Sequence, residues 1–179
     1  MESEFHVNRF SKERYGKTLD FIRRTIPNQK RVLDLGVVNP FSDIMKENGY
    51  TVFNTSGEDL DFHPEVVESF RDAEFVTALE IFEHMINPMG VLQKLPADKL
   101  IASIPLSLWF ADAYRSKTDP WDRHYHEFED WQFDWLLEKS GWKIITSEKW
   151  KGHTSQLGIR PILRKLTPKY YIVYAERIK

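Results

Sequence analysis

The chain has 179 residues and a formal net charge of −2, and 41% of its residues are hydrophobic. This length and composition predict one domain over residues 1–179 with a substantial core. There is no cysteine, which excludes disulfides, thiolate zinc sites and a cysteine nucleophile and fits a cytoplasmic protein. No apolar run approaches the roughly 20 residues that span a bilayer, so we expect no transmembrane helix.

Charge is distributed unevenly along the chain. Residues 149–179 contain eight Lys or Arg and one acid, so they carry +7 and the first 148 residues carry −9. The simpler interpretation is a solvated C-terminal face. The alternative is a patch, with Arg160, Arg164, Lys165 and Lys169 among apolar residues, for an anionic substrate, a nucleic acid or an acidic surface. Nucleic acid is not the partner we expect, although this basic segment leaves it open.

Hydrophobic periodicity, capping residues and turn residues predict the elements in chain order. In the first half we expect an N-terminal helix within residues 1–28 that Ser11 caps, strands at 31–36 and 50–55, and helices at 41–48 and 65–70. In the second half we expect strands at 74–81, 100–104, 142–150 and 170–178, and helices at 89–95 and 129–140. The apolar stripe of the last helix is predicted to use Trp131, Trp135 and Leu136, with Phe128 as a further candidate.

Strands that alternate with helices predict an α/β fold with an open, mostly parallel sheet and helices on both faces. Two strands lie close together at the end of the chain, and we expect the last of them to be antiparallel. The core would cover residues 30–150, followed by a basic segment, 151–179, that ends in a strand.

Three motifs follow one another in the order of a known family. Residues 32–36 (VLDLG), 80–88 (EIFEHMINP) and 101–105 (IASIP) resemble class I S-adenosylmethionine-dependent methyltransferases, in particular their small-molecule, type 11/12-like branch. A stretch at 126–142 is similar to the closing segment of that branch. The resemblance implies a Rossmann-like sheet of six or seven strands in the order 3-2-1-4-5-7-6, with the third strand weak or missing near residues 59–62. It also implies S-adenosylmethionine as cofactor and a small-molecule acceptor that is methylated on oxygen or nitrogen.

The turn after the first strand is poor in glycine. The family pattern D-x-G-x-G-x-G becomes Asp34-Leu35-Gly36-Val37-Val38-Asn39-Pro40, which keeps the acid and the first glycine. Val38 adds a Cβ where the cofactor normally meets bare backbone, and Pro40 removes an N–H but suits the first turn of a helix. The resemblance assigns Asp34, Gly36, Val38 and Asn39 to the cofactor; the alternative is a structural strand end with a buried aspartate.

Further cofactor contacts are expected at the ends of the next two strands. Asn54 or Thr55 stands where the family has an acid for the ribose hydroxyls, and an amide accepts less strongly than a carboxylate. Asp59 and Asp61 would take over the ribose or contact the adenine amino group, or are ordinary loop acids. Glu80 is predicted to face the cleft and to bind the cofactor or a substrate hydroxyl or amine.

Four residues are candidates for proton transfer. Glu83 and His84 follow a strand at the edge of the sheet where open α/β sheets bind ligands, and His84 would be a general base. The alternative is that both simply begin the next helix. His124 and His126 lie in an aromatic loop and are further bases. Their spacing invites a metal site with Glu127 or Asp122, but no third ligand is evident, so we expect no metal.

Two other functions compete with methyl transfer. The altered positions Val38, Pro40 and Asn54 suggest a non-catalytic domain of the same fold that binds another ligand or a protein partner. The basic segment suggests a protein directed to RNA or phosphate. The sequence specifies neither the acceptor nor the oligomeric state.

Overall fold

The protein is described by a computed structural model that covers residues 9–152 and 159–178, with side chains for 12–152 and 163–178. The sheet contains six strands: β1 (Arg31–Asp34), β2 (Thr51–Asn54), β3 (Phe75–Leu79), β4 (Lys99–Pro105), β5 (Trp142–Lys151) and β6 (Pro168–Arg177). Their spatial order is β2-β1-β3-β4-β6-β5. Strands β1 to β4 are parallel to one another, and β6 runs antiparallel between β4 and β5.

This topology confirms the predicted fold class. It is the expected strand order without its outermost member, and the antiparallel strand is the last in the chain. Residues 59–62 form a turn instead of that outer strand, because the N–H groups of Phe62 and His63 both donate to the carbonyl of Asp59. Within the described residues the sheet therefore ends at β2.

Helices cover both faces of the sheet. They are α1 (Arg9–Thr25), α2 (Pro40–Glu47), α3 (Pro88–Lys94), α4 (Asp130–Lys139) and α5 (Ile159–Leu166), with 3-10 helices at Pro64–Ser69 and Phe82–His84. Helices α1 and α2 pack on the face that includes Val32, whereas α3 and α4 pack on the face that includes Leu33. Adjacent residues of β1 thus serve opposite halves of the core, as the alternation of side chains in a strand requires.

Two regions near the chain ends lie partly outside the described residues. The described part of helix α1 begins at Arg9, so Ser11 lies within the helix, and its side chain is outside the described part. Helix α5 was not predicted; it lies in the basic segment, and the side chain of Arg160 is also outside the described part. Across residues 9–152 and 159–178, no helix has the length and apolar character needed to cross a bilayer.

The apolar stripe predicted for α4 is wrong in its two tryptophans, whereas Phe128 is buried. Trp131 and Trp135 are 44% and 65% exposed, whereas Phe133 and Leu137 are fully buried. Both pairs are spaced by four residues, so helical periodicity alone does not distinguish them. Phe133 is buried because its ring contacts several core rings, and Leu136 packs only partly against the same cluster.

Candidate functional site

A cavity of about 620 Å³ opens at the carboxyl ends of the parallel strands. Open α/β sheets bind ligands at this edge, and small-molecule pockets usually measure roughly 300–1,000 Å³. Residues from several elements line it: Arg14, Tyr15 and Thr18 of α1; Asp34 to Val37, Asn39 and Phe41 after β1; Thr55 and Gly57 to Asp61 after β2; Leu79 to Ile81, His84 and Met85 after β3; and Ser103, Trp121, Trp150 and Tyr170. The cavity is therefore an appropriate size for a cofactor together with a small substrate.

Asp34 is the centre of a buried hydrogen-bond network at the end of β1. Its Oδ1 accepts from Thr77 Oγ1 at 2.7 Å, and its Oδ2 accepts from Ser42 Oγ at 2.8 Å and from Asn39 Nδ2 at 2.9 Å. Burial raises the pKa of this carboxyl, while the hydrogen bonds act in the opposite direction. The network connects β1, β3 and the start of α2 into one rigid edge.

The start of α2 is capped by side chains rather than built from glycine. Asn39 Oδ1 accepts from the N–H groups of Phe41 and Ser42, and Ser42 Oγ accepts in return from the N–H of Asn39. Pro40 occupies the first turn of α2, as expected, where its missing N–H costs nothing. The turn thus obtains its shape from this capping box.

Gly36 and Asn54 lie close together between β1 and β2. Gly36 has a φ of 95°, a conformation that favours glycine, and its N–H donates to Thr55 Oγ1 at 2.9 Å. Asn54 Nδ2 lies 3.2 Å from the carbonyl oxygen of Asp34 and 3.3 Å from that of Gly36. The Asn54 amide therefore braces the backbone of β1 and does not line the cavity.

The two valines of the turn differ in position. Val37 lines the cavity. A Cβ atom added to Gly57 would lie 3.1 Å from Val37 Cγ1, so the two residues pack closely. Val38 is 52% exposed and does not line the cavity. Seven of the nine residues assigned to the cofactor by the sequence do line it: Asp34, Gly36, Asn39, Thr55, Asp59, Asp61 and Glu80.

The acids after β2 have distinct tasks. Asp61 accepts from the N–H groups of Ile86 and Asn87 at 2.7 Å each, so it fixes the backbone ahead of α3. Asp59 Oδ1 accepts from the N–H of Asp61, which orders the turn. Glu58, which the sequence did not single out, also lines the cavity. The acidic run therefore supplies both structure and cavity lining.

Glu80 is held in a strained conformation at the cavity wall. Its φ of 57° is the only positive value at a non-glycine residue within the described residues. Its carboxylate accepts from Ser103 Oγ at 3.0 Å and pairs with Arg14 at 3.4 Å. Burial raises the pKa of Glu80, and the Arg14 guanidinium opposes that shift. Strain of this kind is concentrated at functional sites.

Glu83, His84 and His124 come together, and of these three only His84 lines the cavity. Glu83 is 1% exposed, its Oε1 lies 3.7 Å from His84 Nε2, and its Oε2 has no hydrogen-bond partner among the described residues. Burial, together with the charge of Glu80, raises the pKa of Glu83 to about 9. The ring centroids of the two histidines are 4.8 Å apart. The sequence did not predict this contact, because Glu83 at the end of a strand and His124 in a loop are far apart along the chain.

His126 points elsewhere. Its Nε2 donates to the carbonyl of Ile86 at 3.3 Å, and its ring stacks on Phe128 with centroids 5.2 Å apart. The N–H groups of Tyr125 and His126 both donate to the carbonyl of Glu83, which ties the aromatic loop to the end of β3. His124 and His126 therefore do not converge on a common ligand.

The sequence missed the contribution of α1 and of the last two strands. Arg14 reaches the cavity and lies 5.2 Å from the ring centroid of Tyr170, and Trp150 also lines the wall. The one available signal was that Arg14 and Thr18 share a face of α1 with spacing of four residues. On α5, Arg164 and Lys165 are exposed, and a role in binding nucleic acid stays a prediction.

Comparisons of the structure identify a well-known fold. A SAM-dependent methyltransferase from Archaeoglobus fulgidus is 17% identical, with a TM-score of 0.58 over 91% of this chain and 94% of that one. Magnesium protoporphyrin IX methyltransferase from Synechocystis, with bound SAH, is 13% identical, with a TM-score of 0.57 over 99% and 89% of the two chains. The [4+2]-cyclase SpnF is 14% identical, with a TM-score of 0.55 over 94% and 83%.

At the level of sequence, no protein-family model and no curated protein matches this chain. The structural neighbours show that the chain has the fold of class I S-adenosylmethionine-dependent methyltransferases. A cyclase shares this fold, so the fold does not by itself define the reaction.

Proposed function

We propose that this protein is an S-adenosylmethionine-dependent methyltransferase that acts on oxygen or nitrogen of a small-molecule acceptor. The observation that carries this proposal is the acid-lined cavity of about 620 Å³ at the carboxyl edge of the sheet. Neighbours of the same fold are named as SAM-dependent methyltransferases, and one of them has SAH bound. The position of the cavity and the chemistry of its lining support the same assignment.

The charges of the lining fit a cationic cofactor. Among the described residues, five carboxyl side chains line the cavity, and Arg14 is the one lining Lys or Arg. S-adenosylmethionine carries a sulfonium and an ammonium group, both of which are attracted to carboxylates. Bound there, it would supply an activated methyl group. Its transfer would form a bond from the methyl carbon to the acceptor oxygen or nitrogen, break the carbon–sulfur bond with the electron pair left on sulfur, and release a proton from the acceptor.

The residues around the first turn would hold the cofactor. The Asp34 network fixes the turn, so that Gly36 and Val37 present a preformed wall. Asp59 and Glu58 are the carboxylates available to accept from the ribose hydroxyls, since Asn54 is used to brace β1. A preformed site of this kind lowers the entropic cost of binding.

Other lining residues would hold the acceptor. Trp121, Trp150 and Tyr170 provide aromatic surface, and Arg14 adds a positive charge within the same region. Holding the acceptor in line with the methyl group supplies most of the acceleration, because the methyl group is already activated. His84, which lines the cavity next to Glu83 and His124, would take up the proton of the acceptor.

Calorimetric titration with S-adenosylmethionine and S-adenosylhomocysteine tests the proposal. We expect one binding site per chain and about tenfold weaker binding in Asp59→Asn, which weakens one acceptor for a ribose hydroxyl. Asp72→Asn is the matched control, because Asp72 is exposed and does not line the cavity. No heat at millimolar ligand, with the protein folded, would contradict the proposal.

A second candidate is a non-catalytic domain of the same fold. It is favoured by the hydrogen bonds that occupy backbone donors at the turn: the N–H of Gly36 donates to Thr55, and two N–H groups of α2 donate to Asn39. Fewer free donors would then face a ligand. Failure to bind either adenosyl compound would favour this candidate.

A further inference from the structure

We propose that Glu83, His84 and His124 bind one divalent transition-metal ion at the edge of the cavity. Each residue offers one ligand atom, and these atoms lie within 4.8 Å of one another. Metal–ligand distances of about 2.0–2.2 Å would place ligand atoms roughly 3.4 Å apart in a tetrahedral site. At its widest, the cluster would therefore contract by about 1.4 Å on binding an ion.

The second observation is the unsatisfied carboxyl group of Glu83. The residue is 1% exposed, and its Oε2 has no hydrogen-bond partner among the described residues. Buried polar atoms are almost always paired, because an unpaired one loses its hydration without compensation. A cation between Glu83 and the two imidazoles would provide the missing partner.

The outer contacts of the two histidines also suit metal binding. His84 Nδ1 lies 3.1 Å from the carbonyl oxygen of Arg123, which can only accept, so this nitrogen carries the proton. His124 Nδ1 lies 3.4 Å from Glu127 Oε1. Metal-binding histidines usually donate their second ring N–H to a carbonyl or a carboxylate in this way. Both Nε2 atoms are then left for the ion.

The ligand set indicates which metals would bind. Two imidazoles and one carboxylate suit Zn²⁺, Co²⁺, Ni²⁺ or Fe²⁺, whereas Mg²⁺ and Ca²⁺ prefer oxygen ligands. Three protein ligands leave at least one coordination position open, and His84 lines the cavity. That position would take an oxygen of the acceptor, a step that rests on the proposed function. In a metal-free protein, His84 Nε2 would instead accept the proton directly.

Metal binding can be measured without knowing the acceptor. Protein dialysed against EDTA is titrated with Co²⁺, followed by visible absorption, and with Zn²⁺ and Mg²⁺ by calorimetry. We expect one Co²⁺ or Zn²⁺ per chain and no competition by Mg²⁺ at the same concentration. His84→Gln and His124→Gln should each weaken binding on the order of 100-fold. His126→Gln is the matched control from the same loop and should bind like the wild type.

A measurement on the wild-type protein tests the same site without depending on the folding of a variant. Bound Co²⁺ should shift or broaden the ring resonances of His84 and His124 before those of His63. Absence of saturable Co²⁺ and Zn²⁺ binding, or unchanged affinity in both cluster variants, would overturn the inference. Titration with S-adenosylhomocysteine separates it from the proposed function. If the protein binds metal but not S-adenosylhomocysteine, the metal site stands and the proposed methyl transfer is contradicted. If it binds S-adenosylhomocysteine but no metal, only the metal site is contradicted.

Discussion

Asn39 Nδ2 donates to Asp34 Oδ2 at 2.9 Å, and this bond joins the end of β1 to the first turn of α2. The same Asn39 side chain caps α2 through its Oδ1. The side-chain amide of Asn39 thus fixes the shape of a turn that has few glycines. It explains how a turn with valine and proline still borders an open cavity.

Asn39→Ala should destabilise the protein by about 1–3 kcal/mol. The variant loses the helix cap and leaves a buried carboxylate with one donor fewer. Urea unfolding followed by circular dichroism measures the change. Asn28→Ala, at an exposed asparagine before β1, is the control and should change stability by less than about 0.5 kcal/mol. Equal losses in the two variants would contradict the role of Asn39.

Glu80→Gly should be more stable than Glu80→Ala by about 1 kcal/mol. Both variants lose the carboxylate, so they differ chiefly in backbone conformation. The φ of 57° at this position is costly for alanine and accessible to glycine, which reverses the usual order of the two residues. Chemical denaturation of both variants measures the difference. An alanine variant as stable as the glycine variant would show that the backbone is not strained there.

Glu74 should contribute to stability in a pH-dependent way. Its pKa lies below the ordinary value of 4.5, because the N–H groups of Arg31 and Lys30 donate to the carboxylate. The folded state then binds the proton less readily than the unfolded state. The contribution is complete above about pH 4.5 and is lost as the pH falls through the lower folded value.

Thermal unfolding between pH 3 and pH 7 tests this linkage. Glu74→Gln should be less stable than the wild type near pH 7, and the difference should shrink below about pH 4. Glu47→Gln, at an exposed position near the end of α2, controls for the loss of one charge. A difference that does not vary with pH would argue against the hydrogen-bonded carboxylate.

Phe133→Ala should cost about 3–5 kcal/mol, whereas Trp135→Ala should cost less than about 0.5 kcal/mol. Phe133 is fully buried between core rings, and Trp135 is 65% exposed on the same helix. The midpoint of urea denaturation compares the two variants directly. A larger loss for the tryptophan would restore the stripe that the sequence predicted for α4.

The fold was predictable because its signals are local. Alternating strands and helices, together with the VLDLG motif, define the sheet, and Pro40 was expected in the first turn of α2. The stripe of α4 failed because two pairs, Trp131 with Trp135 and Phe133 with Leu137, have the same spacing. Only tertiary packing decides which pair is buried.

The candidate site was predictable only in part, for a similar reason. Residues that directly follow a strand, such as Gly36 and Glu80, could be placed at the sheet edge from topology alone. The approach of His124 to Glu83 depends on the path of a long loop, and the arrival of Arg14 depends on the docking of α1. Neither path can be derived from the local sequence, although the spacing of Arg14 and Thr18 places them on one face of α1.

A crystal structure of the protein grown with S-adenosylhomocysteine would test the central claim most directly. We predict density for one nucleoside in the cavity, with its ribose hydroxyls close to Asp59 or Glu58 and its thioether beside Gly36. Density at another surface, or a cavity that stays empty at saturating ligand, would contradict the assignment of this edge as the cofactor site.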